Sequence, residues 1–178
     1  MSVENKRDFS VSMDRANIVV LFIGIPVAVL QFVFFNMLHN NEKMELTWNY
    51  FLFLALVFAG IILHEIIHGV TWMIFGKKSF ETIKFGFQWK TLTPYAHLKE
   101  PIEVNAYRTG AFMPGLIVGI IPFILSLIIG DGNLLWFSMI HTIAAGGDWL
   151  ILWIIRNIKK GAMVEDHPSQ AGCYVIEG

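Results

Sequence analysis

The sequence predicts an all-α integral membrane bundle of four transmembrane helices, with a small cytoplasmic β-hairpin between the second and third helices. Hydrophobic residues make up 55% of the 178 residues and charged residues only 15%, whereas soluble domains have about 45–50% apolar and about 25% charged residues. Four apolar runs account for the excess, each close to or above the roughly 20 residues that a helix needs to cross a bilayer. This length accommodates about one domain.

The first two apolar runs follow a polar N-terminal arm, residues 1–17. The first run, 18–38, is longer than the roughly 7–15 apolar residues of a secretory signal and has no Ala-x-Ala cleavage site, so it predicts an uncleaved helix. A short polar loop leads to the second run, 46–75. There, Trp48 and Trp72 are placed to join the aromatic belts at the two membrane surfaces.

A polar interlude, residues 76–110, separates the second and third runs. Its residues 83–90 alternate between apolar side chains and polar residues or glycine, which is the pattern of a strand with one apolar face. Residues 91–98 can pair back as a second strand, and Pro94 restricts that strand to a sheet edge. Such an edge can bind an extended peptide by strand addition. A hairpin that rests its aromatic face on the bilayer is an equally supported alternative.

The last two apolar runs, 111–129 and 134–155, are joined by a tight Gly-Asp-Gly-Asn turn. Residues 103–110 predict the start of the helix that leads into the third run. Pro114 is expected to bend that helix, because proline lacks the amide hydrogen and its ring crowds the preceding turn.

Lysine and arginine residues predict the orientation of the chain. The arm, the interlude and the segment just after the fourth run contain all of them except Lys43, which lies in the loop after the first run. Because positively charged loops stay in the cytoplasm, both termini and the hairpin are predicted to be cytoplasmic. The predicted organisation is an arm, 1–17, a four-span domain, 18–160, and a tail, 161–178.

The second run contains His64-Glu65-Ile66-Ile67-His68, an H-E-x-x-H motif. On a helix, His64 and His68 project from one face and can bind one metal ion. Glu65 can then take a proton from a water molecule on that metal. Ionisable residues inside a membrane are costly and usually functional, although a structural polar cluster between helices is the alternative interpretation.

Depth in the bilayer indicates a third ligand. With a rise of about 1.5 Å per residue, His68 and Asp148 both lie roughly 10 Å from the cytoplasmic end of their runs. Gly146 and Gly147 are expected to let the fourth helix approach the second closely. His141 lies on the same face as Asp148 but roughly 10 Å deeper, so it is predicted to support a ligand or to pack, not to bind the metal.

Two histidines and one carboxylate are a zinc-binding set that leaves a fourth position for water. The sequence therefore predicts a zinc-dependent metallopeptidase that acts on peptide or membrane-protein substrates in or next to the bilayer. It has no basic stripe or phosphate-binding loop, so no nucleic acid partner is expected. A transporter or proton-relay module and a haem-binding electron carrier are the alternatives. Clustering of the polar groups at one depth favours the peptidase.

Four other chemically active residues receive structural interpretations. His97 has no partner at metal-ligand spacing and is predicted to be a surface group. Asp166 and His167 are predicted to belong to a solvated turn before Pro168, although they could reach the site. Cys173 is the single cysteine and is predicted to be an inert free thiol.

The motif, the hairpin-like interlude, the Phe112-Met113-Pro114-Gly115 segment and the lone Asp148 resemble the site-2-protease type of intramembrane zinc metalloprotease. More closely, residues from about 60 to 175 resemble a family of small bacterial membrane proteins classed as zincin peptidases. Two departures from the site-2 proteases stand out. Trp149 follows Asp148 where those enzymes usually have glycine, and Phe-Met-Pro-Gly replaces their Ala-Gly-Pro signature.

This resemblance implies a function for each residue of the motif. It implies that His64 and His68 bind zinc with Asp148 as the third ligand, and that Glu65 is the catalytic acid and base. It further implies a bacterial plasma membrane as the location, with cleavage of a peptide bond within or beside that membrane.

Overall fold

The computed structural model describes residues 5–39, 41–89 and 93–177. It is mostly helical. The helices are α1 (Met13–Leu38), α2 (Tyr50–Phe75), α3 (Val104–Pro114), α4 (Ile121–Ile129), α5 (Gly132–Ala144) and α6 (Gly146–Ile154). The strands are β1 (Asn5–Val11), β2 (Ile83–Gln88), β3 (Thr93–Leu98), β4 (Ile102–Glu103), β5 (Met163–Asp166) and β6 (Ala171–Glu177).

Four long helices dominate the fold, and each is long and apolar enough to cross a bilayer. The first two are α1 and α2. The third consists of α3, a π-helical segment at Gly115–Ile120 and α4, and the fourth consists of α5 and α6. The structure thus confirms four long apolar helices with a small amount of sheet, whereas the division into arm, membrane domain and tail stays a prediction.

The first and third helices begin earlier than the apolar runs at 18 and 111. Helix α1 begins at Met13, where the Ser12 hydroxyl accepts a hydrogen bond from the Arg15 amide. Helix α3 begins at Val104. The first turns of both helices contain polar residues and precede the apolar runs. A hydropathy pattern therefore does not detect them as helix.

Glu103 fixes the start of the third helix. One of its carboxylate oxygens accepts from the amides of Asn105 (2.8 Å) and Ala106 (3.3 Å), and the other accepts from the Gly161 amide (2.8 Å). Partial burial acts to raise the pKa of Glu103, but these amides outweigh it and hold the pKa below its usual value. The carboxylate therefore joins the helix start to the C-terminal tail.

Pro114 marks a change of geometry in the third helix. The chain is α-helical up to Pro114 and π-helical over the next six residues. A proline removes one amide donor and crowds the preceding turn, and π-helical turns are common responses to such a defect. The local change lies where the sequence predicts a bend.

The arm and the tail meet in a four-stranded antiparallel sheet of order β1-β6-β5-β4. Phe9 of β1 is paired with Cys173 of β6. The sequence interpretation of the tail as a polar segment is thus incomplete, because β5 and β6 form a sheet whose inner residues Val164 and Cys173 are fully buried. Burial raises the pKa of the Cys173 thiol to about 12, which agrees with an inert thiol.

The predicted hairpin between the second and third helices is confirmed as β2 paired antiparallel with β3. Its apolar face turns toward the helices, where Ile83 is buried and the Phe85 ring lies over Gly69 of α2. Trp89, at the far end of β2, is 78% exposed. The hairpin and the four-stranded sheet lie at the same end of the bundle, since the Leu98 amide donates to Asp166 of β5.

A hydrophobic cluster joins this end of the helices to both sheets. It includes Trp72 of α2, Leu98 of β3, Tyr107 of α3 and Val164 of β5. Trp72 is only 4% exposed, so the sequence interpretation of it as a membrane-surface anchor is wrong. The indole packs inside the protein because the third helix approaches α2 closely at this point.

Candidate metal centre

Two helices bring three predicted ligand residues together. His64 and His68 lie one turn apart on α2 and are each 7% exposed, and Asp148 comes from the first turn of α6. His64 Nε2 lies 2.9 Å from Asp148 Oδ2, and His68 Nε2 lies 3.3 Å from Asp148 Oδ1. One ligand atom from each residue lies within 4.8 Å of the others. The group can therefore hold a single metal ion.

A backbone carbonyl determines which nitrogen of His68 faces this group. His68 Nδ1 lies 3.0 Å from the Gly110 carbonyl oxygen. Because a carbonyl only accepts, Nδ1 must carry the hydrogen, and the lone pair of the neutral ring is then on Nε2. Metal-binding histidines commonly donate their second N–H in this way, which fixes the ring and raises its basicity.

The close approach of the third helix to α2 depends on Gly110. A Cβ at this position would lie 2.0 Å from Trp72 Nε1, so only glycine lets the carbonyl come within reach of His68. The Trp72 indole in turn lies between two rings, with centroids 5.5 Å from His68 and 6.1 Å from Tyr107. The His68 ring is thus held by one hydrogen bond, to the Gly110 carbonyl, and by one stacking contact, with Trp72.

Glu65 lies beside the open edge of strand β3. In an antiparallel pair, alternate residues direct their backbone groups toward the partner strand and away from it. The Lys99 amide donates to the Thr82 carbonyl, so the backbone groups of Ala96 and Leu98 face away from β2. The Ala96 amide accordingly lies beside the Glu65 carboxylate. The unpaired edge of β3 therefore faces the candidate metal centre.

A cavity of about 330 Å³ connects these groups. Glu65 and the three candidate ligands line it on the helical side, and Pro94 and Ala96 of β3 line it on the hairpin side. Residues 166–172, between β5 and β6, complete the wall. The helices, the hairpin and the C-terminal strands thus enclose one space beside Glu65 and the candidate ligands.

Asp166 ties three parts of this wall together. Its Oδ1 accepts a hydrogen bond from the Tyr107 hydroxyl (2.8 Å), and its Oδ2 accepts from the Leu98 amide (3.2 Å) and pairs with His97 Nδ1 at 2.9 Å. The interpretation of His97 as a lone surface group is therefore wrong. No local pattern could reveal the pair, because its members lie in separate strands far apart in the sequence.

His167 shapes the turn that follows. Its Nδ1 accepts from the amides of Ser169 (3.1 Å) and Gln170 (2.9 Å). The prediction of a solvated turn before Pro168 is wrong, because Asp166 ends strand β5, the bend lies at residues 168–170, and His167 is only 7% exposed. Its ring closes one side of the cavity.

The His97–Asp166 pair is expected to make the stability of the protein depend on pH. The hydrogen bond with Asp166 raises the pKa of His97 more than partial burial lowers it. A raised pKa means that the stabilisation is complete below the unfolded value of about 6.5 and is lost as pH rises through the folded value.

Thermal unfolding of wild-type and His97→Gln protein over pH 5–9 measures this effect. We expect the variant to be less stable by about 1 kcal/mol at the acid end, given a partly exposed charge-assisted hydrogen bond, and the two curves to converge at the alkaline end. A stability difference that is the same at every pH would contradict the ion pair.

The two glycines before Asp148 do not have the expected role. A Cβ at Gly146 would lie 2.8 Å from Val20 of α1, and one at Gly147 would have no atom of the described residues within 4 Å. Neither glycine therefore brings α6 toward α2. The close contacts of α2 are made at Gly60, which lies under the ring of His141 on α5, and at Gly110.

His141 is not one of the three residues of this group, and its supporting or packing role stays a prediction. Its side chain is fully buried, with its ring centroid 4.3 Å from that of Phe137.

Comparison with known proteins agrees with this chemistry. Searches of curated proteins and of solved structures found no match. A family model described as "Putative zincin peptidase" matches residues 57–163. This range covers more than half of the chain, contains the H-E-x-x-H segment and Asp148, and ends before Asp166. Zincins are zinc peptidases, in agreement with the two histidines and one carboxylate. The chain therefore belongs to the family described as "Putative zincin peptidase".

Proposed function

We propose that this protein is an integral membrane zinc metallopeptidase that hydrolyses peptide bonds in or next to the bilayer. One observation carries the proposal. His64, His68 and Asp148 converge in a buried group beside Glu65, between two helices that are each long and apolar enough to span a membrane. This is the arrangement of a metal-dependent hydrolase, and the family supports a metallopeptidase in general.

The outer faces of the helices support insertion into a bilayer. Phe22 of α1, Phe51 of α2 and Ile128 of α4 are each 70% exposed or more. Other exposed apolar side chains lie on each of the four long helices. Exposed apolar surface of this extent marks contact with lipid or another protein. The charged arm, interlude and tail all lie at one end of the bundle, which supports a cytoplasmic location for that end and for both termini.

The residues fit a zinc ion. Two imidazole nitrogens and a carboxylate are a usual catalytic zinc set, and the Gly110 carbonyl leaves the lone pair of His68 on Nε2. When bound, zinc polarises the substrate carbonyl as a Lewis acid and acidifies water. His64 and His68 would hold it from one helix and Asp148 from another, which is also the arrangement that the resemblance to site-2 proteases implies.

Glu65 supplies the proton transfers. Its half-buried carboxylate opens into the cavity. It acts first as the base that takes a proton from the attacking water, and then as the acid that donates this proton to the leaving amine. The neighbouring Ala96 amide orients the carboxylate toward the substrate.

The open edge of β3 supports a peptide as the substrate. The backbone carbonyls of Pro94 and Ala96 are unpaired by β2, and both residues line the cavity. An extended segment added to this edge would form main-chain hydrogen bonds whatever its side chains, and would carry a peptide bond past Glu65. The exposed Trp89 at the end of β2 suits simultaneous contact with the bilayer surface.

Metal analysis and a cleavage assay test the proposal together. Detergent-purified protein is expected to contain about one zinc per chain and, in proteoliposomes, to cleave a labelled unfolded membrane peptide. A chelator should stop cleavage, and added zinc should restore it. Protein that binds no zinc when zinc is supplied, or cleavage that is indifferent to the chelator, would contradict the proposal.

A further inference from the structure

A second cavity adjoins the candidate metal centre on the side away from β5 and β6. Its volume is about 430 Å³, and it lies between α1, α2 and α5. Asn17 of α1, His64 and Glu65 of α2 and His141 of α5 contribute its polar lining. The two cavities share His64 and Glu65, and the second one extends from these residues to His141.

His64 has a ring nitrogen that its known contacts leave unused. Its Nε2 faces Asp148, while its Nδ1 is buried and has no hydrogen-bond partner among the described residues. A metal-binding imidazole almost always donates its other N–H to a carboxylate, a backbone carbonyl or water. For His68 this partner is the Gly110 carbonyl. For His64 Nδ1, no described residue is in the corresponding position.

His141 is a second buried imidazole with unpaired ring nitrogens in this region. It is fully buried, and neither of its ring nitrogens has a partner within the described part of the chain. More than about 90% of buried polar groups in proteins have a hydrogen-bond partner, in the protein or in ordered water. Two imidazoles that line one cavity thus both have unpaired nitrogens.

Gly60 shows how close these rings lie. A Cβ at Gly60 would be 2.3 Å from His141 Nε2, so the ring rests directly on the α2 backbone at this residue. Gly60 precedes His64 by one turn on the same face, roughly 6 Å along the helix axis. Side chains on a helix lean toward its N-terminus, so the His64 ring leans toward His141.

We propose that His141 is a positioning residue for His64, which it holds through a water molecule bound in the cavity between α1, α2 and α5. This inference rests on the proposed metal site. Gly60, on which the His141 ring rests, and His64 lie about one helical turn apart, and two bonds of about 2.9 Å through one water can span a gap of that order. The cavity has room for the water, and Asn17 can provide it with a third polar partner.

The water bridge would place the lone pair on Nε2 in both candidate ligand histidines. His64 Nδ1 donates to the water, which leaves the lone pair of His64 on Nε2, facing Asp148. His68 reaches this state through Gly110, so each imidazole is fixed in orientation by a hydrogen bond on its far side. Gly60 is required because any side chain there would push the His141 ring away.

Zinc affinity tests the proposal without a substrate. Competition with a zinc-binding dye on detergent-purified protein compares wild type with His141→Phe, which keeps a flat ring, and His141→Gln, which keeps a hydrogen-bonding group. We expect zinc binding about 10–100-fold weaker in His141→Phe, and within a few-fold of wild type in His141→Gln. Ser138→Ala is the matched control on α5, since the buried Ser138 hydroxyl bonds to the Leu135 carbonyl of its own helix, and it should leave zinc affinity unchanged.

Thermal unfolding of the zinc-free proteins separates positioning from packing. His141→Phe should be at least as stable as wild type, because it removes buried polar atoms that have no hydrogen-bond partner among the described residues. Equal zinc affinity in wild type and His141→Phe would overturn this inference alone. Weaker zinc binding in both variants, together with lower zinc-free stability, would assign His141 to packing and overturn it as well. Wild-type protein that binds no zinc would overturn the proposed function and this inference with it.

Discussion

Glu65→Gln is expected to slow peptide hydrolysis about 10²–10⁴-fold, the usual contribution of a positioned acid or base, and to leave zinc bound. Glutamine has nearly the shape of glutamate but cannot accept the proton of the attacking water or return it to the leaving amine. Because Glu65 is separate from the three candidate metal ligands, the metal content should not change. Cleavage rates and zinc content, measured on the same preparation, check both statements.

Glu100→Gln is the matched control for this experiment. Glu100 lies in the same interlude as the hairpin, but its side chain is 53% exposed and it pairs with Lys78, so its loss should change neither rate nor metal. A Glu65→Gln protein that cleaves at the wild-type rate would contradict the catalytic role. An inactive variant that retains zinc can instead be used to capture substrates in their bound form.

His68→Ala and Asp148→Ala are each expected to weaken zinc binding about 10²–10³-fold. Structural zinc sites with four ligands bind with about 10–16 kcal/mol, so one ligand contributes about 2.5–4 kcal/mol, and each 1.4 kcal/mol is a factor of ten. Zinc titration against a competing dye measures the loss. Both substitutions should also abolish cleavage.

Asp131→Ala controls for loss of a carboxylate from the fourth helix. Asp131 caps α5, where it accepts a hydrogen bond from the Leu134 amide, so its removal should lower stability by about 0.5–2 kcal/mol and leave zinc affinity unchanged. If zinc were lost from His68→Ala but kept by Asp148→Ala, Asp148 would not be the third ligand. His141 would then be the next residue to replace.

The features that were predicted from the sequence each leave a pattern within one continuous stretch of residues. Runs of apolar residues predicted the four helices, period-two alternation predicted the hairpin, and the i, i+4 spacing of His64 and His68 predicted their common face. Asp148 required one more step, a comparison of depths, which works because helices in a bundle of this kind run nearly parallel. The structure brings it to the histidines.

The features that sequence reasoning missed depend on contacts between distant segments. His97 and Asp166 come together only because β5 packs near β3, and nothing in either segment specifies the other. Trp72 resembles a membrane-surface residue by its place at the end of an apolar run. It is buried because Gly110, a residue of another helix, leaves room for its indole. Strand preference depends strongly on such surroundings, so β1 and β6 also escaped prediction.

The pairing of β1 with β6 has a consequence for the newly made protein. Strand β6 leaves the ribosome after all four long helices, yet its partner is the first strand of the chain. The segment that joins β5 to β6 completes the cavity wall, so the H-E-x-x-H segment is already synthesised while the cavity is still unfinished. Contacts between distant residues also form slowly. The cavity beside the candidate ligands is therefore completed only after the last described strand has been made and has paired with β1.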